Sequence, residues 1–360
     1  MKQSYDVILH IPSLGGGGAE RVALDIARHF VAEKKTVALF IYRNGSAYEL
    51  PAGVDVIVSR SNGHIGRVLE FRALLRNVEV QTVVSFLPYA NLVSLLANLW
   101  VRQRPRLVVS EHLSSVELGH PSLKERIKFA LLTLLYKRSD CIVAVSEGIA
   151  ADLRMRLGKA ISHKIVVIYN PCRITEIYDS CPSGDAQNQT ILAVGRLVPQ
   201  KGFDTLISAF RDVRKRVADA QLTILGEGPE RLKLEALVAQ YGLQESIALP
   251  GFSRDIAGAY QCADLFVCSS RAEGFGNVIV EALSFGLPVV STACRHGPEE
   301  ILEGGRYGTL VPVGDERALA DAIVAALGTT VDSMRQIARS RDFSLDIIGD
   351  RYMKVAGFNA

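Results

Sequence analysis

Patterns that carry metal or hydrolytic chemistry are missing from this 360-residue sequence. No two of its six cysteines stand in a Cys-x-x-Cys spacing and no His/Cys cluster occurs, so no zinc-type ligand set is present. The cysteines, at 141, 172, 181, 262, 268 and 294, lie mostly in apolar runs and read as buried thiols in a reducing compartment. There is no Asp-x-Asp pair, and therefore no metal site is expected. Neither a Gly-x-Ser-x-Gly elbow nor a Walker loop is found, which argues against hydrolase and NTPase chemistry. No apolar run reaches the roughly 20 residues that span a bilayer; the longest candidates are 92–101 and 129–136. The first strand-like run, 7–11, is too short for the apolar region of a signal peptide, and a cytoplasmic location is expected. No repeat at a solenoid period is visible.

What remains is an ordinary soluble composition, 48% hydrophobic and 22% charged. The length exceeds one ordinary core, so two domains are expected. The net charge of +3 is unevenly spread. Residues 1–170 carry 22 Lys and Arg against 14 Asp and Glu, and residues 171–360 carry 19 against 24. A basic half suggests an anionic partner for the first domain alone, expected here to be a membrane surface rather than nucleic acid. The segment 124–138, with cationic ends and an apolar middle, fits either a helix lying on an anionic membrane or a core helix with solvated ends.

Strand-like runs alternate with helical periods. Runs 7–11, 37–42, 82–86, 107–110, 141–145 and 165–168 read as strands, and 17–33, 64–76, 90–101, 122–138 and 147–157 as helices. The rhythm pauses at a Pro- and Gly-containing polar stretch, then resumes with strands at 190–195, 221–225, 246–249, 265–268 and 288–291 and helices at 203–217, 230–241 and 277–286. This predicts an α/β chain of two Rossmann-like, doubly wound parallel-sheet domains facing a central cleft. The expected boundaries are 1–170, a linker at 171–189, a second domain at 190–340, and a terminal helix within 341–360 packing back on the first domain. Ligands of such sheets bind beyond the carboxyl ends of the strands, and the candidate motifs follow strands.

The most informative stretch is 271–281, Arg-Ala-Glu-Gly-Phe-Gly-Asn-Val-Ile-Val-Glu. It sets Glu273 just before a helix and Glu281 one turn into it, with small residues between, where helix-start amides favour an anion. The run Gly15-Gly16-Gly17-Gly18-Ala19-Glu20-Arg21 follows the first strand and suits a phosphate or stands as a flexible turn with no ligand. Glu20 at the third glycine position, and Arg43 where a ribose acid is needed, disfavour a dinucleotide fingerprint. Arg196 and Lys201, five apart after the first strand of the second domain, suit a diphosphate or stand as two solvated cations. His112, ending Ser110-Glu111-His112, suits a sugar hydroxyl or a structural role.

Taken in order, these pieces resemble the GT4 family of retaining, GT-B-fold glycosyltransferases over nearly the whole chain. The set includes Gly-Gly-Ala-Glu-Arg (17–21), Ser-Glu-His (110–112), Tyr-Asn-Pro (169–171), Val-Gly-Arg-Leu with Lys-Gly (194–202), Leu-Gly-Glu-Gly-Pro (225–229) and Glu-Gly-Phe-Gly-Asn…Glu (273–281). The resemblance implies that Gly16 and Gly17 face the diphosphate and donor sugar, and that His112 contacts that sugar. It places Arg196 and Lys201 on the leaving diphosphate and Phe252 at the nucleobase. Glu273 would stand beside the sugar ring, Phe275, Gly276 and Asn277 would supply backbone amides, and Glu281 would bind ribose. The four-glycine loop departs from the family's usual two. The resemblance further implies sugar transfer with retention from a nucleotide sugar, UDP-linked by expectation, without metal or other cofactor. The expected acceptor is a glycan on a polyprenyl diphosphate at the cytoplasmic face of a bacterial inner membrane. A soluble acceptor, epimerase-like chemistry and a non-catalytic binding protein stay open as alternatives.

Overall fold

The computed structural model describes residues 3–112, 123–172, 189–253 and 256–358, without the side chains of Lys124 and Glu125. Most of the expected linker, and Cys181, lie outside the described residues. The chain divides into two compact units, Met1–Pro171 with Leu345–Ala360, and Cys172–Ser344.

The first unit is built on β1 (Ser4–His10), α1 (Gly18–Ala32), β2 (Val37–Ile41), β3 (Val54–Val58), α2 (His64–Asn77), β4 (Glu79–Phe86), α3 (Pro88–Asn98), β5 (Arg106–Glu111), α4 (Leu123–Leu135), β6 (Cys141–Ala144), α5 (Glu147–Leu157) and β7 (Ile165–Val167). Its seven strands are all parallel, in the order β3-β2-β1-β4-β5-β6-β7. Strands such as Val37–Ile41 are buried throughout, as expected of a parallel sheet covered on both faces. The sheet core of Val7, Leu9, Val84 and Val108 packs with Val22, Ile26 and Phe30 of α1. Ile348, Tyr352 and Met353 of the helix Leu345–Ala356 complete it. That helix lies so close to α1 that a Cβ on Gly349 would stand 2.3 Å from the His29 ring. Its last carbonyls, free of helical partners, accept from Thr82 Oγ1 (to Ala356, 2.7 Å) and Arg106 Nε (to Val355, 2.7 Å). Counting the charges of this unit, the helix adds two cations and two carboxylates, so its net charge stays at +8.

The second unit runs β8 (Gln189–Val194), α6 (Phe203–Arg216), β9 (Ala220–Leu225), α7 (Arg231–Gln240), β10 (Ile247–Gly251), α8 (Ala257–Gln261), β11 (Leu265–Cys268), α9 (Asn277–Ser284), β12 (Val289–Thr292), α10 (Pro298–Ile301), β13 (Thr309–Val311), α11 (Glu316–Leu327) and α12 (Ser333–Arg341). Its six parallel strands are ordered β10-β9-β8-β11-β12-β13. The amphipathic α6 turns Leu206, Ile207, Phe210 and Val213 into the core beside Ile191, Leu222 and Ile224.

Several sequence expectations shift. Gln189, placed in the linker, opens β8. The helix expected over 122–138 ends at Leu135 and tightens into a 3₁₀ turn, Tyr136–Arg138. The strands β3 and β13 and the helices α8, α10, α11 and α12 were not anticipated. The reading of six buried thiols also needs correction. Cys141, Cys172, Cys268 and Cys294 are free and buried, whereas the half-buried Cys262 is disulfide-bonded. It sits in the Gln261-Cys262-Ala263-Asp264 segment, outside any apolar run.

Candidate active site

In each sheet the strand order reverses beside the first strand, between β1 and β4 and between β8 and β11. At such a switch point the loops leaving the two strands part and open a crevice at their carboxyl ends. Arg196 and Lys201 leave β8, and Glu273 leaves β11, so two segments far apart in sequence are neighbours here.

The two loops are fastened together. Arg271 donates to the carbonyl of Pro199 (2.5 Å) and to Asp204 (2.9 Å), and Gln200 Nε2 donates to the carbonyl of Ala272 (2.8 Å). Gly202 closes the first loop with φ +64°, and a Cβ there would lie 2.2 Å from the Ser269 carbonyl oxygen. Only glycine gives both that backbone angle and that approach.

Lys201 Nζ stands 2.5 Å from Glu273 Oε1, and Ser270 Oγ donates to the same oxygen at 2.6 Å. The pair is largely removed from water, with 17% of the lysine side chain and 9% of the glutamate exposed. Burial works against the Lys201 ammonium, but the Glu273 charge outweighs it and holds the lysine above its ordinary pKa. Arg196 is exposed, with no side-chain hydrogen bond or ion pair among the described residues, yet its charge is felt at Lys201. The structure therefore brings Lys201 onto Glu273 and leaves Arg196 as the open cation beside them.

Farther along, Gly276 caps α9 at φ +105° with no side-chain cap bond, and the Ile279 amide donates back to the Gly276 carbonyl at 2.9 Å. Phe275 points its ring into the core, edge-on to Phe343 at 5.5 Å, which leaves only its backbone for a ligand. Glu281 accepts from Tyr260 Oη at 2.9 Å. Phe252 is 53% exposed.

In the first unit, Gly16 takes φ +103° and Gly17 is the N-cap of α1. Glu20 Oε2 accepts from the Gly17 amide at 2.7 Å, and Ser13 Oγ donates to Oε1 at 2.8 Å. The helix start already holds a carboxylate, so an incoming phosphate meets Glu20 first. His112 emerges just beyond β5, buried, with its Nε2 3.1 Å from Ser110 Oγ. Burial lowers its pKa to about 3, so the ring is neutral at pH 7. Next to it Glu111 is buried too, and accepts from Asn91 Nδ2 (3.2 Å) and Tyr136 Oη. Burial raises Glu111 to about 7, although the charges of Arg156 and Lys128 and the Asn91 bond pull the other way.

Sequence reasoning missed Ser270, Tyr260 and Glu20 as partners of the site residues. Only Glu20 left a signal, standing three residues after the cap in the manner of a capping box. Among the described residues no group of three or more His, Cys, Asp or Glu gathers as a metal cluster.

Two family matches divide the chain between them. Residues 16–176 match Glycosyltransferase Family 4, and residues 188–329 match Glycosyl transferases group 1. The chain belongs to the GT4-type glycosyltransferases. Its architecture agrees, since solved glycosyltransferases share the GT-B fold over nearly its full length. Anabaena HepE, solved with UDP and glucose, superposes with a TM-score of 0.81 at 23% identity, covering 97% of this chain and 98% of that one. A sucrose-phosphate synthase from Thermosynechococcus elongatus superposes with a TM-score of 0.83 at 20% identity, covering 98% of both. Among curated relatives, a Campylobacter jejuni protein named as an N-acetylgalactosamine-N,N'-diacetylbacillosaminyl-diphospho-undecaprenol 4-alpha-N-acetylgalactosaminyltransferase is 28% identical over 331 residues, 89% of each chain. The Erwinia amylovora amylovoran biosynthesis glycosyltransferase AmsD is 25% identical over 310 residues, 84% of this chain and 85% of its own.

Proposed function

We propose that this GT4-type glycosyltransferase moves a hexose or N-acetylhexosamine from a UDP-sugar, with retention, onto a glycan carried by a polyprenyl diphosphate. The observation that carries the reading is the buried Lys201–Glu273 pair at the switch point, with Arg196 open beside it. As the bond to the anomeric carbon breaks, negative charge gathers on the β-phosphate, and Arg196, Lys201 and the start of α9 would take it up. Glu273 then stands by the ring on which positive charge builds. No protein nucleophile is assigned, so the acceptor hydroxyl attacks on the face the diphosphate leaves, and the phosphate receives its proton. Neutral His112 holds the donor sugar, and Glu281 holds ribose.

The acceptor class rests on the named Campylobacter relative and on the charge of the first unit. It also rests on α4. Leu123, Ile127 and Leu134 are 71%, 59% and 63% exposed, and their spacing of four and seven sets them along one face of the helix. Arg126, Lys137 and Arg138 are exposed alongside. An apolar stripe edged by cations fits the interfacial zone of an anionic bilayer. Lys128 turns partly inward, over the Phe129 ring at 5.0 Å. No helix among the described residues is long and apolar enough to cross a membrane. The proposed place of action is the cytoplasmic face of the membrane.

The test has two stages. A thermal-shift screen of UDP-, GDP- and ADP-sugars should single out a UDP-sugar, and UDP should then be released only when a polyprenyl-diphosphate glycan is added. Turnover on soluble sugars with no response to the lipid acceptor would overturn the acceptor assignment. Co-sedimentation with anionic vesicles should fall as salt rises and be lost in Ile127→Glu/Leu134→Glu.

A further inference from the structure

His112 is not held alone. Its Nε2 lies 3.1 Å from Ser110 Oγ, and Ser110 Oγ lies 3.2 Å from Tyr352 Oη on the helix Leu345–Ala356. All three side chains are buried, and the Phe86 ring packs against both the imidazole (5.8 Å) and Tyr352 (6.2 Å). The proton positions in such a chain are set by which direction leaves no group unsatisfied. If Tyr352 donates to Ser110, and Ser110 to Nε2, both hydroxyl hydrogens have acceptors, and the remaining hydrogen, on Nδ1, belongs to an imidazole that is still 6% exposed and can meet solvent or a ligand. If Nε2 carries the proton, either Ser110 donates to Tyr352 and strands the Tyr352 hydroxyl hydrogen, or both neighbours donate into Ser110 Oγ and the Ser110 hydrogen is stranded. Tyr352 is 0% exposed and has no hydrogen-bond partner other than Ser110 among the described residues. A stranded buried donor disfavours that direction by roughly tenfold or more.

We propose that Tyr352 is a positioning residue that, through Ser110, fixes His112 as the Nδ1–H tautomer and so makes Nδ1 a hydrogen-bond donor. Burial keeps the Tyr352 phenol protonated, by raising its pKa, and keeps His112 neutral, which leaves the chain one proton order across the physiological range. Among the described residues Nδ1 has no partner of its own, so its hydrogen is available to an oxygen of a ligand. The imidazole then offers a donor to a sugar hydroxyl or ring oxygen and cannot accept there. The catalytic use of that donor rests on the proposed function; the tautomer itself does not.

The experiment reads the tautomer directly. Two-bond ¹H–¹⁵N spectra of the full chain labelled in histidine, with His112 assigned from a His112→Asn sample, should show a protonated Nδ1 and a bare Nε2. In Tyr352→Phe the Ser110–His112 bond is free to run either way. The His112 pattern should become mixed and kcat should fall in proportion to the Nδ1–H fraction lost, about twofold for an even mixture, at nearly constant donor KM. Should Tyr352→Phe fail to fold, Ser110→Ala severs the same chain and should mix the pattern likewise. An Nε2–H pattern in the wild-type protein overturns the proposal, as does a Tyr352→Phe spectrum identical to wild type. An Nδ1–H pattern joined to full activity of His112→Asn would uphold the tautomer and instead remove His112 from the reaction.

Discussion

Replacing Glu273 with Gln should cost the second unit stability as well as turnover. Lys201 and Glu273 lie 2.5 Å apart with little of either side chain in water. Breaking a buried pair by removing one charge costs about 3–5 kcal/mol. Gln keeps an oxygen for both Lys201 and Ser270, and a hydrogen bond to a charged group retains about 1.5–3 kcal/mol of that. A net loss near 2 kcal/mol follows, which for a unit of this size lowers the melting midpoint by roughly 4–8 °C. Calorimetry of the full chain reads the shift. Fluorescence of the single tryptophan, Trp100, reports the first unit and serves as an internal control. Adding Lys201→Met should restore part of the loss, with a coupling of at least about 1 kcal/mol, because the stranded ammonium goes with it. The lysine pKa is raised in the folded protein, so the stabilisation is complete below the ordinary value of 10.5. It is lost only as pH climbs through the higher folded value. The gap between wild type and Glu273→Gln should therefore hold across neutral pH and close only in strong alkali. A Glu273→Gln midpoint indistinguishable from wild type, or strictly additive single and double variants, would refute the reasoning.

In steady-state kinetics, Glu273→Gln should chiefly lower kcat and Glu281→Gln should chiefly raise the donor KM; the reverse pattern exchanges the two roles. Arg196→Ala should lower turnover by about 10²-fold or more with the fold intact, as for loss of one charge-stabilising donor, and wild-type turnover would remove it from the diphosphate. Activity should survive excess EDTA, because two cations and helix amides are assigned to the phosphates; loss on chelation restored by Mg²⁺ or Mn²⁺ would count against that assignment. Glu111 binds its proton more tightly when folded, at about 7 against an ordinary 4.5, so its ionisation takes stability away as pH rises between those values. The buried His10 and His112, lowered to about 3, tilt the curve the other way below 6.5, so the test is a difference. Glu111→Gln should gain on wild type in melting midpoint from pH 4.5 to 7, and a constant offset would show that Glu111 does not titrate there.

The strands were legible where burial on both faces makes a continuous apolar run, as at 37–42, 107–110 and 141–145. β3 escaped because it is an edge strand, with Asp55 exposed among its valines. α11 escaped although Asp315 accepts from the Ala318 amide at 2.9 Å, a cap that the Asp-Glu-Arg sequence announces. In the site, Lys201 and Glu273 stood out by residue type, but their meeting did not. It depends on β8 and β11 being neighbours, and sheet order has no local signature. The same holds for Ser110 and Tyr352, brought together by helix docking alone, and for Cys262, whose bond no spacing rule foretells. Lys128 shows the opposite failure: the sequence placed it at a cationic end of the 124–138 helix, on a membrane surface or in solvent, whereas the helix turns it toward an aromatic ring and a buried carboxylate.

The interleaving of the two units sets an order of events during synthesis. A ribosome delivers β1 first, yet the core that β1 belongs to also contains Ile348, Tyr352, Met353, Ala356 and Phe358. Those residues arrive only after the whole of Cys172–Ser344 has been made. The usual rule that the amino-terminal domain folds first is therefore inverted. The second unit has its complete core in hand earlier, while the first waits with its α1 face bare until the late helix docks. The nascent first half exposes apolar surface for the longest time, which is where chaperone contact and premature association are concentrated. Ser110, translated early beside His112, gains its Tyr352 partner only at that final step.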